Sequence, residues 1–248
     1  MLPNNDALRQ AHSPLAEFMK HVYEVDLLAP PGTRVHYQSM GILTLATIVE
    51  KITRQALPEF LSDNIFAPLN MNDTTLGAPD SWKSGGPSQR MAWSQVDEQP
   101  GAAQWGWNSW YWRQLGAPWG GLLSTAPDIG CLCRHLLNIL GGQHGILSRQ
   151  ALRVMTTNQL PYLRKIPEPI AGTLPWGLGW QLNWPSHPHG FGSLLPPECF
   201  GHWGATGTLV WIDPTRGVYG VVLTTEPVDI ENRRQIAFGN MSSLIWDD

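Results

Sequence analysis

Two small groups of residues in this sequence have the types and spacing that chemistry needs. The first is a histidine enclosed by glycines, within Gly201-His202-Trp203-Gly204-Ala205, and it directly precedes an apolar run. Glycine has no Cβ, so a ligand can lie against this backbone and meet its N–H donors. The alternative interpretation is a hairpin whose glycines only relieve crowding.

The second group is Tyr37-x-Ser39, on a polar loop that runs directly into a helix. An unperturbed tyrosine has a pKa of about 10 and is a poor base at neutral pH. On local evidence alone, a tyrosine before a helix is more often a packing residue than a catalytic one. Both interpretations of Tyr37 stay open at this level.

A sheet is predicted around the histidine. The apolar runs 209–212 and 218–225 flank Pro214-Thr215-Arg216-Gly217, which predicts a hairpin because proline presets φ and glycine accepts a positive φ. Residues 209–212 are all apolar, so this strand is expected inside a sheet with both faces covered. The alternation over 177–184 predicts another strand, and 229–246 reads as a closing amphipathic helix.

The helices are predicted from periodicity and caps. One helical face is predicted to carry Ile42, Leu45, Ala46, Val49 and Ile52, and Pro58 suits the first turn of a second helix. Thr125-Ala126-Pro127-Asp128 is typical of a helix start, and that helix is expected to stop at Gly141-Gly142. Ser148 is expected to cap a helix through Met155. Residues 70–120 have no clear period and are interpreted as ordered loops with short helices.

Composition excludes several classes of protein. The chain has 248 residues, of which 42% are hydrophobic and 15% charged, as is usual for a folded globular protein. The net charge is −4, which argues against a nucleic-acid partner. No window approaches the roughly 18 apolar residues of a membrane span. The residues 1–10 resemble no signal peptide, and three cysteines without a framework predict free thiols.

Tryptophan is unusually frequent, and five of the 13 lie within fifteen residues: Trp105, Trp107, Trp110, Trp112 and Trp119. Such a cluster packs a core or lines an apolar pocket, and packing is the favoured interpretation. His187, His189 and His202 could suggest a metal. Two histidines that flank a proline in a loop are more often solvated, so we expect no metal here.

The order of motifs resembles the serine β-lactamase-like superfamily, which comprises class C β-lactamases, serine esterases and D-alanyl-D-alanine carboxypeptidases. Tyr37-x-Ser39 is similar to the second motif of that family, and His202-Trp203-Gly204 takes the place of its Lys-Thr-Gly motif. Further landmarks follow in the family's order: Ile65-Phe66-Ala67-Pro68-Leu69-Asn70-Met71, Gly120-Gly121-Leu122-x-Ser124-Thr125 with Asp128, and Gly177-Leu178-Gly179-Trp180.

The first motif of the family, Ser-x-x-Lys, supplies the nucleophile, and this chain lacks it. No serine here has a lysine three residues later. By resemblance the motif lies upstream of residue 1, so the chain looks like the C-terminal part of such a protein. Without that serine and lysine, no nucleophile is evident and nothing obvious tunes Tyr37.

The resemblance also implies roles for the site residues. Tyr37 would be the general base and acid, and Ser39 would orient the substrate or the lysine. His202 would supply a positive or hydrogen-bonding group. Gly204 and Ala205 would bind substrate, with the backbone N–H of Ala205 as half of the oxyanion hole. These residues are expected to form two walls of one site.

The implied fold is α/β (α+β) of the β-lactamase and transpeptidase type. In it an antiparallel sheet is flanked by helices, a helical lobe is added, and the N-terminal strands and nucleophile helix are missing. We interpret residues 1–248 as one incomplete catalytic domain, with about 1–120 in a helical and loop lobe and about 121–248 in a sheet-and-helix lobe. The missing strands would leave a sheet edge unpaired and open to self-association.

Two functions remain in view at this level. The first is a serine hydrolase that acts on a small-molecule ester, amide or peptide through an acyl-enzyme, and that is inactive as this chain because the nucleophile motif is absent. The second is a non-catalytic remnant that binds a ligand or a partner chain in the old cleft. Neither function needs a cofactor, so we expect none.

Overall fold

The computed structural model describes residues 2, 4–84, 86–96, 101–163, 165–166, 175–184, 190–228 and 233–246. It is a mixed structure of helices and antiparallel strands. The chain forms two compact units, the first from Met1–Leu28 and His36–Asp128, the second from Ala29–Val35 and Ile129–Asp248.

The first unit is mainly helical. Its two short strands, β1 (Thr75–Leu76) and β2 (Leu122–Leu123), pair antiparallel. Its helices that lie wholly within the unit are α1 (Asn5–Gln10), α2 (Leu15–Glu24), α3 (Ser39–Thr53), α4 (Leu57–Leu61), α5 (Gly86–Arg90) and α6 (Trp110–Leu115). Short 3₁₀ turns and loops make up much of 70–120, as the sequence predicts.

Helix α3 is apolar on two opposite sides. One side buries Leu43 and Ala46, and Leu43 packs with Phe18 and Met19 of α2. The other side carries a stripe of exposed residues at helical spacing, Ile42, Leu45, Ile48 and Ile52. We call this set the α3 stripe. The predicted helix is confirmed, but its exposed apolar side is not what a surface helix usually shows.

The second unit is built on a four-stranded antiparallel sheet in the order β3-β4-β5-β6. Its strands are β3 (Gln181–Leu182), β4 (Phe200–Trp203), β5 (Leu209–Asp213) and β6 (Val218–Val222). Helices α8 (Arg149–Met155) and α9 (Arg233–Ser243) also belong to this unit, and α7 (Ala126–Leu140) contributes from Ile129 onward.

Both faces of the sheet are covered, as the apolar run in β5 predicts. Ile212 packs on one face with residues of α7 and α8, including Ile139 and Leu152. Leu209 and Trp211 point to the other face, where they pack with residues of the 191–199 segment and with Phe238 of α9. Alternate residues of β5 therefore enter two separate cores.

The β5–β6 hairpin is confirmed, and its turn is fixed by a buried carboxylate. Asp213 accepts hydrogen bonds from the backbone N–H of Thr215 at 2.8 Å and from its hydroxyl at 2.6 Å. Arg216 Nη1 lies 3.2 Å from the other carboxylate oxygen. Gly217 then takes a φ of +71°, which explains why glycine ends the turn.

Other local predictions are confirmed in part. Asp128 donates its N–H to Thr125 Oγ1 at 3.3 Å, and Ala151 donates to Ser148 Oγ at 3.1 Å, so both helix caps form. The strand predicted over 177–184 is shorter, because Gly179 turns the chain with a φ of +80° and leaves only β3. Likewise, β6 ends at Val222 and not at Thr225.

Candidate active site

His202 lies in β4, opposite Val210 of β5, and is partly buried. Its Nδ1 is 2.6 Å from the carbonyl oxygen of Trp203. A carbonyl can only accept a hydrogen bond, so Nδ1 must carry the proton and donate it. In the neutral ring Nε2 then keeps its lone pair and is the acceptor atom.

Burial lowers the pKa of His202 below its ordinary value, and the bond to Trp203 opposes this shift more weakly. The ring is therefore neutral at pH 7. The resemblance left two roles for His202, a positive group or a hydrogen-bonding group. The structure supports the second, since a neutral imidazole cannot replace the charge of a lysine.

The chain turns sharply after His202. The N–H of Gly207 donates to the carbonyl of Gly204 at 2.9 Å, and the N–H of Gly204 donates to the carbonyl of Thr208 at 2.8 Å. Ala205 and Thr206 are thus the central residues of a β-turn, and Gly207 has a φ of +82°. We call residues 204–208 the β4–β5 turn.

Ala205 is exposed at the tip of this turn. Its carbonyl accepts from the N–H of Val228 at 3.2 Å, whereas its own N–H has no hydrogen-bond partner among the residues that the structure describes. A main-chain donor held in this way can bind a developing oxyanion. The N–H of Gly204, by contrast, is used within the turn, so only Ala205 of the two predicted residues offers a donor.

Tyr37 and Ser39 lie together at the start of α3, in the other unit. Ser39 is the first residue of the helix, and Gln38 caps it by accepting the N–H of Gly41 at 2.9 Å. Tyr37 is 63% exposed. Partial desolvation of its phenol nonetheless raises the pKa of Tyr37 above the ordinary value, so this phenol is protonated at neutral pH and acts as a hydrogen-bond donor.

The structure therefore places the predicted residues in two groups, a pair in the first unit and three residues in the second. Tyr37 lies two residues before Ser39, the first residue of α3, and Gly204 and Ala205 follow directly after β4, in which His202 lies. His187 and His189 lie outside the described residues. Within the described part of the chain, no three His, Cys, Asp or Glu residues are grouped to hold a metal ion.

All three thiols are free, but the two buried ones, Cys133 and Cys199, are poor replacements for a serine nucleophile. Burial raises the pKa of Cys133 to about 12, and burial likewise raises that of Cys199. A thiol attacks as its thiolate, which these two residues do not populate at neutral pH.

Arg9 is a buried arginine whose contacts are not evident from the sequence. The Arg9 guanidinium lies 5.0 Å from the ring centroid of Trp105 and 4.5 Å from that of Trp112, and Nη2 donates to the carbonyl of Trp105 at 3.2 Å. Trp112 also contacts Trp107 and Trp119 through its ring. These contacts support the packing interpretation of the tryptophan cluster. In the sequence, the cluster itself was the signal that a cation could lie nearby.

Asp128 has a structural role. Its Oδ2 accepts from the N–H of Asp73 at 2.8 Å and from Thr74 Oγ1 at 2.7 Å, and Thr74 Oγ1 is also 2.7 Å from Ser124 Oγ. This network ties the first turn of α7 to the loop before β1. The family landmark at Ser124 and Asp128 thus holds the first unit together.

Comparisons with known proteins agree with this architecture. A profile of the family described as Beta-lactamase matches residues 1–240. A protein of Escherichia coli O157:H7 named as a D-alanyl-D-alanine carboxypeptidase is 27% identical over 223 residues, which cover 79% of this chain and 46% of that protein. The chain therefore spans less than half the length of this curated relative.

Solved structures show the same fold. A β-lactamase from Mycobacterium bovis superposes with a TM-score of 0.64 at 24% identity, over 89% of this chain and 68% of that one. EstCE1, described as a hydrolase with promiscuous acyltransferase activity, gives a TM-score of 0.65 at 16% identity, over 92% of this chain and 61% of that one. The predicted fold class is confirmed. No described helix has the length and apolar character needed to cross a membrane.

Proposed function

The chain belongs to the beta-lactamase family, and from this premise we propose that it carries part of the machinery of a serine hydrolase that works through an acyl-enzyme. In this proposal the serine and lysine come from sequence that this chain does not contain. The chain alone binds an acyl ligand but does not cleave it. The observation that carries the proposal is the N–H of Ala205, which has no hydrogen-bond partner among the described residues and lies on an exposed turn close to His202.

Each residue has a definite task in this proposal. The Ala205 N–H donates to the oxygen of the scissile carbonyl, and one such donor contributes about 3 kcal/mol in the transition state. His202 accepts a hydrogen bond at Nε2. Tyr37 passes a proton to the leaving group, and needs a neighbouring cation before it can act as a base.

The substrate class is part of the proposal. The relative named as a D-alanyl-D-alanine carboxypeptidase supports a peptide that ends in D-alanine, and the description of EstCE1 as a hydrolase with acyltransferase activity supports an acyl substrate. Both present a carbonyl oxygen to the same donor. We propose ester or amide cleavage as the reaction and leave a D-alanyl peptide as the first substrate to test.

A first experiment tests the chain for catalysis. We expect no hydrolysis of nitrocefin or p-nitrophenyl esters and no labelling by a fluorophosphonate probe, because this chain lacks the Ser-x-x-Lys motif that supplies the nucleophile. Labelling of any serine would show that the nucleophile lies in this chain and that our assignment of it is wrong.

A second experiment tests ligand binding. Acetyl-D-alanine, whose carboxylate can accept the same hydrogen bond, should move the amide proton signal of Ala205 downfield in a ¹H–¹⁵N spectrum. Ala205→Pro is the matched control, since proline suits the first central position of a β-turn and lacks the N–H. Followed at the amide signal of Thr206 in both proteins, the ligand should cause a shift in wild type and none in this variant. If wild type shows no shift at Ala205 with millimolar ligand, the proposed oxyanion site is wrong.

We also propose that the outer edge of β6 pairs with another chain. Among the described residues no strand lies beside β6 on that side, and open edges favour such pairing. Sedimentation velocity across a dilution series tests this. A monomer at every concentration would contradict self-association.

A further inference from the structure

Three successive carbonyls of the β4–β5 turn accept hydrogen bonds from residues that follow β6 in the chain. The carbonyl of Ala205 accepts from the N–H of Val228 at 3.2 Å, and that of Thr206 accepts from Thr224 Oγ1 at 3.1 Å. The carbonyl of Gly207 accepts from Gln235 Nε2 at 3.3 Å. These three bonds fix the backbone of the turn that carries the N–H of Ala205.

The third of these bonds comes from a different element. Val228 and Thr224 belong to the segment that follows β6, whereas Gln235 lies on α9. Arg234 of the same helix binds the carboxylate of Glu226 and the carbonyl of Pro227, which joins α9 to that segment. The helix therefore reaches the turn both directly and through its neighbour.

The β4–β5 turn and the segment that follows β6 are in close contact at Gly207. A Cβ built on Gly207 would lie 2.1 Å from the carbonyl oxygen of Glu226, so the turn can approach the segment only because this residue is glycine. A cavity of about 40 Å³ remains beside the contact, lined by Thr224, Gln235 and Phe238 among others. This volume suits a water molecule and not a substrate.

Gln235 is a destabilising choice at this position if the side chain serves only packing. Its side chain is 2% exposed, and its Oε1 is buried with no hydrogen-bond partner among the described residues. A buried acceptor without a partner costs stability, and an apolar side chain of the same length would avoid that cost. Residues that break a packing rule in this way are expected where a site must be held.

We infer that Gln235 is a positioning residue, which holds the carbonyl of Gly207 and thereby fixes in place the turn that presents the N–H of Ala205 to the ligand oxygen. Gln235 does not touch the ligand. The inference rests on the proposed function for its purpose, but the mechanical link from α9 to the turn can be measured in the protein without ligand.

The test replaces Gln235 by methionine, which keeps the length of the side chain and removes both its donor and its buried acceptor. In the ¹⁵N-labelled chain we expect amide hydrogen exchange at Gly207 and Val228 to quicken by about tenfold. Binding of acetyl-D-alanine, followed at Ala205, should weaken, while the urea midpoint is unchanged or higher because the unpaired acceptor has gone.

Asn240→Met is the matched control on the same helix. Asn240 Oδ1 accepts from the N–H of Leu194 at 3.0 Å, away from the turn, so this variant should lower the urea midpoint and leave exchange at Gly207 as in wild type. Unchanged exchange at Gly207 and Val228 in Gln235→Met would overturn the inference. Absence of binding in wild type would overturn the proposed function, and the exchange result would still decide the role of Gln235.

Discussion

The β4–β5 turn and the loop before α3 are built in opposite ways. The turn offers a main-chain donor, and its carbonyls are held by Val228, Thr224 and Gln235. The loop offers a side chain, Tyr37, which is 63% exposed and lies just before the N-cap residue of α3. A main-chain group needs outside elements to fix its direction, whereas a side-chain group is placed by the helix start that carries it.

The sharpest way to test this difference is one substitution made in both regions. Gly207→Ala meets a positive φ and the carbonyl of Glu226, whereas Gly32→Ala meets a similar φ of +76° with open space around the new Cβ. We expect Gly207→Ala to lower the free energy of unfolding by about 3 kcal/mol and Gly32→Ala by about 1 kcal/mol. Urea unfolding measures both, and equal losses would show that the turn is not closely packed.

The second test is the pH dependence of the free energy of unfolding, which depends on His202 beside the β4–β5 turn. Because burial lowers the pKa of His202 in the folded protein, the unfolded chain binds this proton more readily. The contribution of His202 to stability is therefore full above the unfolded pKa of about 6.5, and it is lost as the pH falls from that value through the lower pKa of the folded protein.

The measurement is the urea midpoint at pH 8 and at pH 5. His202→Gln should lose less stability than wild type over this interval, since it has no proton to take up. In ¹⁵N spectra the wild-type ring should also show the Nδ1-protonated tautomer at pH 8. An equal loss in both proteins would remove His202 from the pH dependence.

A helix cap provides a smaller test on the side of the loop. Gln38→Ala removes the acceptor for the N–H of Gly41, at an exposed position. The expected loss is about 1 kcal/mol, in the range of other helix caps. Circular dichroism with urea measures it, and a loss as large as that of Gly207→Ala would mean that the loop is as tightly fixed as the turn.

The smallest expected effect is that of Tyr37→Phe. Since the phenol is exposed, the variant should unfold within about 0.5 kcal/mol of wild type. In wild type, absorbance at 295 nm should show Tyr37 ionising above the ordinary tyrosine pKa, because its phenol is partly desolvated. If the variant were strongly destabilised, Tyr37 would be a packing residue, which is the alternative that the sequence left open.

The sequence predicts elements whose signals are local. Pro214 and Gly217 predict the hairpin, and Thr125 and Ser148 predict two helix starts, because each acts on residues within three or four positions. Strand 177–184 was predicted too long, since an alternating pattern does not show the turn that Gly179 makes.

The residues that the sequence could not reveal act over long separations. Arg9 binds Trp105 across 96 positions, and Gln235 binds Gly207 across 28. Neither residue belongs to a motif, and in the pattern of its helix each resembles an ordinary polar residue. Such contacts depend on which elements pack together, which periodicity does not encode.

The α3 stripe has a practical consequence for the isolated chain. Four large aliphatic side chains at helical spacing form a solvent-exposed apolar patch along the helix. We therefore expect aggregation of folded molecules, rather than unfolding, to limit the concentration that this protein reaches in solution.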